Sequence, residues 1–505
     1  AFSFPPPEAK KNWGPEVDYF SVASDSKIEF GDYEMIRSQD ETFKRDYIKA
    51  KDINNNDNTF INSNELIWIR GRVHKIRAKG NSCFIVLRSD SFNTVQAVHF
   101  KSKDNDESFD SKAMLKFMES ISQESIVDIC GKVVNANVKS CSINDAEILI
   151  KKIFIVSRSR TILPFSLEDA SRSIKEIELS QHSERPLVGV NTETRLNHRW
   201  LDMRVPANNA IIRIRSGISS LFRISLSKQG FIEINTPKLI GGESEGGSNV
   251  FRTNYFGTDA CLAQSPQLYK QMAIASDFDR VFEIGSVFRA ENSNTRRHLC
   301  EFTGLDMEMS INNHYNEALE VVHNTFRDIF NGLEENYSTE LEIIRQQYPS
   351  EPVEFTDKPC IIHWDEGMKM LKDDGNDVDI YDDMTGAQEL ILGKLVKEKY
   401  KTDFFILDQY PASIRPFYTM KSPKNPLFTN SYDIFIRGQE ICSGAQRCHD
   451  ADILTEQIIE KGMNIDSLKY YVESFRHGIP PHAGAGVGLD RVVFLYLGLD
   501  NVRKG

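Results

Sequence analysis

The sequence predicts an α+β protein in which a small five-stranded β-barrel precedes a larger domain of antiparallel strands and helices. Residues 66–157 contain three strand-like segments, a helical segment and two further strand-like segments. Residues 280–310 alternate apolar and polar side chains on both sides of a polar loop, which predicts an antiparallel hairpin. After Pro206 the apolar residues recur at helical spacing, which predicts a long amphipathic helix.

The composition is that of an ordinary globular protein with more than one domain. The chain has 505 residues, of which 40% are hydrophobic and 27% are charged. No apolar run is long enough to cross a membrane, and the first residues lack a leader pattern. The eight cysteines show no metal-binding spacing, so we expect reduced thiols in a cytoplasmic protein. The net charge of -12 argues against bulk, sequence-blind binding of nucleic acid but allows a specific RNA contact through a local basic patch. We expect no DNA partner.

Changes in composition predict four regions along the chain. Residues 1–64 are polar and form an N-terminal extension, in which 33–49 are compatible with a short helix. Residues 65–156 form the barrel, and residues 157–205, which are poor in strand signals, form a hinge. Residues 206–505 form the larger domain.

The barrel matches the OB type, which has five strands with a helix between the third and the fourth. One face of its sheet is predicted to carry basic, aromatic and amide side chains, namely Arg70, Arg72, His74, Arg77, Phe84 and Gln96. Such a face suits single-stranded nucleic acid, because it combines stacking, phosphate neutralisation and base-edge contacts. In the alternative interpretation, Phe84 belongs to the core and the arginines are only solvated.

The loop of the predicted hairpin is rich in charge. Arg289 closes the first strand, and Arg297 and His298 follow in the loop with acidic residues between them. Guanidinium groups bind phosphate oxygens in a fixed bidentate geometry, so the loop is a candidate polyphosphate site. The alternative is a solvated hairpin whose mixed charges form surface ion pairs.

Three blocks in a fixed order resemble those of a known family. They are the long helix with a strand ending at Pro237, the FRAE hairpin that starts at Phe288, and the stretch 484–497, which contains GLDR. This order resembles the class II aminoacyl-tRNA synthetases, and the preceding OB barrel is similar to that of the aspartyl, asparaginyl and lysyl subgroup. The stretches SEGGSNVF, LAQSPQLYKQ, FRAENSNTRRHLCEFTGLDMEM and SGAQR resemble aspartyl-tRNA synthetases of the eukaryotic and archaeal type. The resemblance implies an antiparallel class II synthetase sheet flanked by helices.

The resemblance implies an ATP site with Arg289, Glu440 and Arg491 as its catalytic residues. Arg289 would bind the α-phosphate and the attacking carboxylate, Arg491 the γ-phosphate, and Phe302 one face of adenine. Cationic groups at these places would act by alignment and charge neutralisation. The implied ATP-binding residues are Arg289, Ala290, Glu291, Arg297, His298, Leu299, Phe302, Glu440, Gly488, Leu489, Asp490 and Arg491.

The remaining roles implied by the resemblance concern the amino acid, the metal and the tRNA. Lys270 and Arg447 would bind the side-chain carboxylate of L-aspartate. The implied aspartate-binding residues are Ser244, Glu245, Gln267, Lys270, Arg289, Asp306, Ser443 and Arg447. The implied Mg²⁺ ligands are Glu440, Ser443 and Asp433, and the implied anticodon contacts are Arg72, Phe84 and Gln96.

The implied activity is ligation of aspartate to tRNA. The enzyme would convert L-aspartate and ATP to aspartyl-adenylate and pyrophosphate, and would then transfer aspartate to the 3′ end of tRNA(Asp). We expect a homodimer in which part of the apolar stripe after Pro206 contacts the partner. Three alternatives remain: an asparaginyl enzyme, an inactive RNA-binding scaffold, and an enzyme that makes free asparagine. The sequence leaves open whether tRNA(Asn) is also charged, and what the N-terminal extension does.

Overall fold

The computed structural model describes residues 14–37, 42–53, 59–63, 65–101, 111–241, 243, 250–291 and 295–505. The chain divides into two compact units. The first contains Ala1–Ala170 and Val190–Pro206, and the second contains Ser171–Gly189 and Ala207–Gly505. Among the described residues, no helix combines the length and the apolar character needed to span a membrane.

The first unit is built on a barrel, as the sequence predicted. Its sheet has the order β1-β2-β8-β6-β5-β4-β3, and β7 pairs with both β4 and β8, which closes the barrel. The strands of this unit are β1 Glu16–Val17, β2 Phe30–Tyr33, β3 Tyr47–Ile48, β4 Ile67–Lys79, β5 Ser82–Arg88, β6 Thr94–Phe100, β7 Ile126–Asn135 and β8 Ala146–Ser157. Its helices are α1 Ala50–Ile53, α2 Thr59–Asn62, α3 Ser111–Glu119, α4 Leu167–Ala170, α6 Thr192–Asn197 and α7 Arg199–Asp202.

Alternating side chains explain why these segments form barrel strands. In β5, Cys83, Ile85 and Leu87 point into the core, and Phe84 and Val86 point outwards. The helix α3 lies between β6 and β7 and adds its apolar side chains to the same core. The period of two in each strand therefore accounts for both the core and the outer face of the barrel.

A buried carboxylate ties the N-terminal segment to the barrel. Asp128 on β7 accepts hydrogen bonds from Arg70 Nε at 2.6 Å and Nη2 at 2.9 Å, and from the Tyr47 hydroxyl at 2.6 Å. Arg45 lies 3.5 Å from the same carboxylate, with its guanidinium carbon 4.1 Å from the centre of the Trp68 ring. A buried carboxylate requires such partners, so this cluster stabilises the packing of the N-terminal segment.

The helix expected over residues 33–49 is wrong for the described part of that stretch. The strand β2 ends at Tyr33 and pairs with β8, and the strand β3 begins at Tyr47 and pairs with β4. Both tyrosines contribute to the aromatic packing around Arg45, and extended backbone places them there. Tertiary packing has overridden a weak helical pattern.

The second unit contains an eight-stranded sheet with the order β15-β16-β17-β18-β19-β14-β13-β9. Its central pairs are antiparallel, and only the two edge pairs are parallel. The strands of this sheet are β9 Ile232–Glu233, β13 Arg280–Phe288, β14 Glu301–Ser310, β15 Ile361–His363, β16 Phe404–Asp408, β17 Ser431–Ile436, β18 Gln439–Gln446 and β19 His482–Gly488. A separate three-stranded sheet contains β10 Leu239–Ile240, β11 Arg252–Tyr255 and β12 Thr258–Leu262.

Helices flank the large sheet, as expected for this fold class. Their apolar faces pack around the sheet, and several end at glycine or at a left-handed residue such as Lys401. The helices of this unit are α5 Ile174–Ser180, α8 Pro206–Lys228, α9 Gln267–Ala275, α10 Asn316–Asn336, α11 Ser338–Gln347, α12 Trp364–Asp373, α13 Gly386–Tyr400, α14 Ala451–Glu460, α15 Lys469–Arg476 and α16 Leu489–Tyr496.

The apolar stripe of α8 belongs to the core of the second unit. Ile211, Ile214 and Ile218 are fully buried, and Phe222 packs with Phe282 of β13 at a ring distance of 6.0 Å. This burial leaves these four residues without surface for a partner subunit, whereas Leu221 of the same stripe is half-buried. The opposite side of the helix carries the exposed side chains of Ile212 and Ile224 instead.

Candidate active site

A cavity of about 340 Å³ opens on one face of the large sheet. It is formed by the β13–β14 hairpin, the strands β18 and β19, the start of α16 and the segment 414–419. Most of the residues implied by the resemblance line it. These are Gln267, Arg289, Glu291, Arg297, His298, Leu299, Phe302, Asp306, Glu440, Ser443, Arg447, Gly488, Asp490 and Arg491.

Six of the implied residues are not among those that line the cavity. Ala290 and Leu489 neighbour lining residues in the chain, and Lys270 and Asp433 are buried in the wall. Ser244 and Glu245 lie outside the described residues.

Arg289 and Phe302 form one end of the cavity. The Arg289 backbone N–H donates to the Cys300 carbonyl at 2.9 Å, which extends the hairpin by one step beyond β13. The guanidinium carbon lies 5.5 Å from the centre of the Phe302 ring. The buried Nε atom has no hydrogen-bond partner among the described residues. A buried donor without a partner is costly, so this atom is suited to receive an anionic ligand.

Arg491 lies in the first turn of α16 and faces the same cavity. Its Nη1 donates to the Glu440 carbonyl at 3.1 Å and lies 3.5 Å from the Glu440 carboxylate. Asp490 has a different role, because it accepts hydrogen bonds from Arg215 Nη1 at 2.6 Å and from the Thr303 N–H at 3.0 Å. Asp490 thereby links α16 to α8 and β14. Arg491 faces the cavity.

The hairpin loop places two more side chains at the cavity rim, the cation Arg297 and the imidazole of His298. Arg297 Nη1 forms an ion pair with Glu389 of α13 at 3.1 Å, and its guanidinium packs against the Cα of Gly386. His298 Nδ1 is 2.6 Å from the Thr295 hydroxyl. Burial and the nearby charge of Arg491 lower the pKa of His298, so it is neutral at physiological pH.

A buried charge cluster forms the other end of the cavity. Glu308 on β14 accepts from Arg447 Nε at 2.9 Å and Nη2 at 3.2 Å, and Lys270 Nζ lies 3.6 Å from it. Lys270 also pairs with Asp306 at 3.1 Å. Burial favours a raised pKa for Glu308, but the charges of Arg447 and Lys270 outweigh it, so the pKa is lowered.

Small residues on β19 make room for these carboxylates. Gly484 lies directly opposite Glu308, and Gly486 lies opposite Asp306. A Cβ atom at Gly484 would overlap the Glu308 carboxylate and the Met307 carbonyl. The glycine-rich HAGAGVG segment is therefore required by close packing at this end of the site.

The implied metal ligands lie together on β17 and β18. Glu440 and Ser443 line the cavity, and Asp433 is directly opposite Ser443 in the strand pairing. Burial raises the pKa of Asp433 to about 6, against the opposing effect of Arg415, whose Nη2 lies 2.8 Å from it. The Asp433 Oδ1 atom is buried and has no hydrogen-bond partner among the described residues.

This set of donors fits Mg²⁺ bound mainly through substrate phosphates. Among the described residues, no group of three or more His, Cys, Asp and Glu side chains could hold a metal ion alone. Mg²⁺ in nucleotide sites usually takes one or two carboxylates, with waters and phosphate oxygens as its other ligands. Glu440, helped by the Ser443 hydroxyl, supplies what such an ion needs from the protein.

Two charged residues that shape the cavity were not predicted from the sequence. Glu308 holds both cations of the amino-acid end, and Arg415 lies in the wall beside Ser443. Glu308 could have been found from its spacing, because it shares one strand face with Asp306. Arg415 had no such signal, because its partners come from distant parts of the chain.

On the barrel, the strand register places Arg72, Phe84 and Gln96 on one outer face. Arg77 lies opposite Phe84, and Gln96 lies opposite Val86, which is two residues beyond Phe84 on β5. Phe84 is half-buried and meets Phe100 edge-on at a ring distance of 6.1 Å.

The three predicted anticodon contacts differ in whether their side chains already form hydrogen bonds within the protein. Arg72 donates to the Glu124 carbonyl at 3.1 Å, and Gln96 donates to the Glu147 carboxylate at 2.7 Å. Arg70, which was expected on the same face, pairs with the buried Asp128. Phe84 therefore offers the clearest stacking surface on this face.

Two family models match the chain. Residues 191–504 match the tRNA synthetases of class II (D, K and N). Residues 67–156 match the OB-fold nucleic acid binding domain. Together the matches cover the barrel and nearly all of the second unit.

Similar proteins agree with these matches. The chain is 46% identical over 481 residues to the cytoplasmic aspartate--tRNA ligase of Homo sapiens, covering 95% of this chain and 93% of that protein. It superposes on the aspartyl tRNA synthetase of Entamoeba histolytica with a TM-score of 0.86 and 40% identity, covering 99% of this chain and 97% of that one. An asparaginyl-tRNA synthetase from Pyrococcus horikoshii is more distant, with a TM-score of 0.75 and 27% identity over 87% of this chain and 93% of that one. The chain belongs to the class II tRNA synthetases of the D, K and N group, in the family of the aspartate--tRNA ligases.

Proposed function

We propose that the protein is an aspartate--tRNA ligase that activates L-aspartate with ATP and transfers it to the 3′ end of tRNA(Asp). The observation that carries this proposal is the convergence of Arg289, Glu440 and Arg491 on one cavity whose far end holds Lys270 and Arg447. Arg289 and Arg491 suit the phosphates of a nucleoside triphosphate, and Glu440 suits its Mg²⁺. Lys270 and Arg447 suit a carboxylate. A cytoplasmic location, as in the names of similar proteins, is part of the proposal.

The residues of the cavity account for activation without a side-chain base. The substrate carboxylate is already ionised at neutral pH, so the step from ATP to aspartyl-adenylate needs alignment and charge neutralisation. Arg289 would hold the α-phosphate and the attacking carboxylate, and Arg491 would draw the outer phosphates away from the reacting centre. Bound Mg²⁺ would neutralise part of the phosphate charge, held on the protein side by Glu440 and Ser443.

The charge balance at the far end favours aspartate over asparagine. Glu308 contacts both Lys270 and Arg447, and Asp306 pairs with Lys270 at 3.1 Å. When Asp306 instead binds the α-ammonium group of the substrate, one positive charge remains for the side-chain carboxylate. Asp306 and Gln267 line the same end and would bind the α-ammonium group. A neutral amide gains nothing from the remaining charge and leaves it buried without a counter-ion.

An aspartate-dependent ATP–pyrophosphate exchange assay tests this proposal. We expect exchange with aspartate to exceed exchange with asparagine by at least about a hundredfold, because a buried unpaired charge costs about 3 kcal/mol or more. Equal rates for the two amino acids would contradict the proposed specificity. No exchange with either amino acid, in folded protein with Mg²⁺, would contradict the proposed reaction.

We further propose that the enzyme is a homodimer and that its barrel binds the anticodon of tRNA(Asp). Exposed isoleucines on the outer side of α8 and at Ile232 support a subunit contact, because such residues favour burial. Analytical ultracentrifugation tests the assembly. A stable, active monomer would contradict it.

A further inference from the structure

Arg415 is a buried cation in the wall of the cavity. It follows a short 3-10 helix, Ala412–Ile414, and only about 10% of its side chain is exposed. Its guanidinium carbon lies 3.8 Å from the centre of the Tyr410 ring, which is a close stacking contact. Burying a guanidinium without partners is very costly, so its contacts define what it does.

The guanidinium bridges two residues that face each other across a strand pair. Arg415 Nη2 lies 2.8 Å from the Asp433 carboxylate on β17, and Nη1 donates to the Ser443 hydroxyl on β18 at 3.0 Å. Asp433 and Ser443 are directly paired in the ladder. A β-bulge follows at once, between Ile434 and Phe435, and Phe435 pairs with Glu440. Arg415 therefore contacts both strands close to the bulge, in the part of the strand pair from which Glu440 and Ser443 reach the cavity.

The hydrogen bond from Arg415 restricts which lone pair of the Ser443 hydroxyl is available to a ligand. A serine oxygen has two lone pairs and one proton, and an arginine can only donate. One lone pair of Ser443 is therefore used by Arg415, and the other can face a cation such as a metal ion. A planar guanidinium held by stacking fixes this orientation better than a flexible ammonium would.

Arg415 also separates two cavities. Arg415, Pro416 and Thr419 line the cavity described above and also a second cavity of about 520 Å³. The arginine is thus part of the wall between two spaces. If its side chain were shortened, this wall would be opened, and Ser443 and Asp433 would lose their contacts with the guanidinium.

We propose that Arg415 is a positioning residue for the ligase reaction, which holds Ser443 and Asp433 at the metal and phosphate side of the cavity. This inference rests on the proposed function, because it assigns Ser443 to the Mg²⁺ that accompanies ATP. Arg415 acts through Ser443 and Asp433 rather than by binding the amino acid.

Two substitutions separate the shape of Arg415 from its charge. Arg415→Met keeps an unbranched apolar stem and removes every hydrogen bond, whereas Arg415→Lys keeps the charge but loses the planar guanidinium that reaches both partners. Arg437→Met is the matched control, because Arg437 lies in the turn between the same two strands and donates to the Leu495 and Glu351 carbonyls. Thermal unfolding of all three variants reports any general loss of stability.

The main readout is the Mg²⁺ concentration that supports half-maximal aspartate-dependent pyrophosphate exchange. We expect Arg415→Met to raise this concentration at least about tenfold, because it removes the hydrogen bond to Ser443 and the ion pair with Asp433. Arg415→Lys should recover part of the loss, and Arg437→Met should match the wild type. Calorimetry gives a second readout, in which Arg415→Met weakens binding of ATP with Mg²⁺ more than binding of ATP alone.

A double-mutant cycle with Ser443→Ala tests whether Arg415 acts through Ser443. We expect Arg415→Met to add less than about twofold in a protein that already carries Ser443→Ala, because contacting residues that act together are non-additive. Independent, additive effects would overturn the proposal, and so would an unchanged Mg²⁺ requirement in Arg415→Met. In either case a wild type that exchanges pyrophosphate with aspartate keeps the proposed function, whereas an inactive wild type overturns both.

Discussion

Glu308 sets the charge at the amino-acid end of the cavity. It is fully buried and in contact with Arg447, Lys270 and Gln267. Both cations need it, because a buried guanidinium and a buried ammonium have no water to solvate them. The carboxylate therefore stabilises the fold and holds Arg447 and Lys270 in position for a substrate carboxylate.

Glu308→Gln should destabilise the protein strongly, although it barely changes the shape of the side chain. We expect a loss of about 3–5 kcal/mol in the free energy of unfolding, since two buried cations lose a shared counter-ion. Urea unfolding at neutral pH measures this loss. Glu301→Gln is the control, because Glu301 is exposed at the start of the same strand. Equal stability of the two variants would contradict the role of Glu308.

The lowered pKa of Glu308 also predicts how its contribution depends on pH. A carboxyl whose pKa is lowered by folding stabilises the protein fully above its unfolded pKa, which is near 4.5. As the pH falls below that value, the contribution is lost. The difference in unfolding free energy between wild type and Glu308→Gln should therefore shrink between pH 6 and pH 3. A constant difference over this range would contradict the ion-pair explanation.

Single residues differ in how well the sequence predicts their placement. Arg289 and Arg491 face the cavity as expected, because each stands where a predicted strand ends or a predicted helix begins. Lys270 was predicted to bind the substrate carboxylate, and in the structure its Nζ lies 3.1 Å from Asp306 and 3.6 Å from Glu308 at the amino-acid end of the cavity. No local pattern could have predicted this, because both carboxylates lie on a different element.

Among the structural elements, the outer face of the barrel connects strand register with RNA binding. The β4–β5 ladder shifts by one residue between Val73 and Lys75, and beyond this bulge Arg77 lies opposite Phe84. A bulge changes which side chains share a face. Without this shift Ile76 would lie opposite Phe84, and the bulge places Arg77 there instead.

Phe84→Ala should weaken binding of tRNA(Asp), because the aromatic ring is expected to stack on an anticodon base. The expected loss is about 1–3 kcal/mol, or roughly fivefold to a hundredfold in affinity. Phe84→Trp is the control, since tryptophan retains a stacking surface at the same place. A filter-binding titration at fixed salt measures the affinity. Unchanged affinity in Phe84→Ala would show that the ring is not a contact.

Periodicity predicted the long elements well and the short ones poorly. The hairpin β13–β14, the helix α8 and the five barrel strands lie where the sequence placed them. In each of these elements, apolar side chains recur on one face because that face packs against the core. The short strands β2 and β3 replaced an expected helix, because their few residues are held by Asp128 and by neighbouring strands.

At the scale of the whole molecule, the order of blocks along the chain was more informative than any one motif. The cavity in the second unit draws on residues from Gln264 to Val502, so it forms only when the complete unit is folded. The sequence predicted this set through its resemblance to a family with the same order of blocks. It did not predict the position of Arg415, because its contacts depend on the pairing of β17 with β18.

The proposed activity requires one cavity to bind the nucleotide at Phe302 and Arg289 and the aspartate side chain at Lys270 and Arg447. A crystal structure with a non-hydrolysable analogue of aspartyl-adenylate tests this claim directly. We expect adenine against the Phe302 ring, and the side-chain carboxylate within hydrogen-bond distance of Lys270 Nζ and the Arg447 guanidinium. A structure in which that carboxylate contacts neither cation, or adenine lies away from Phe302, would contradict the account.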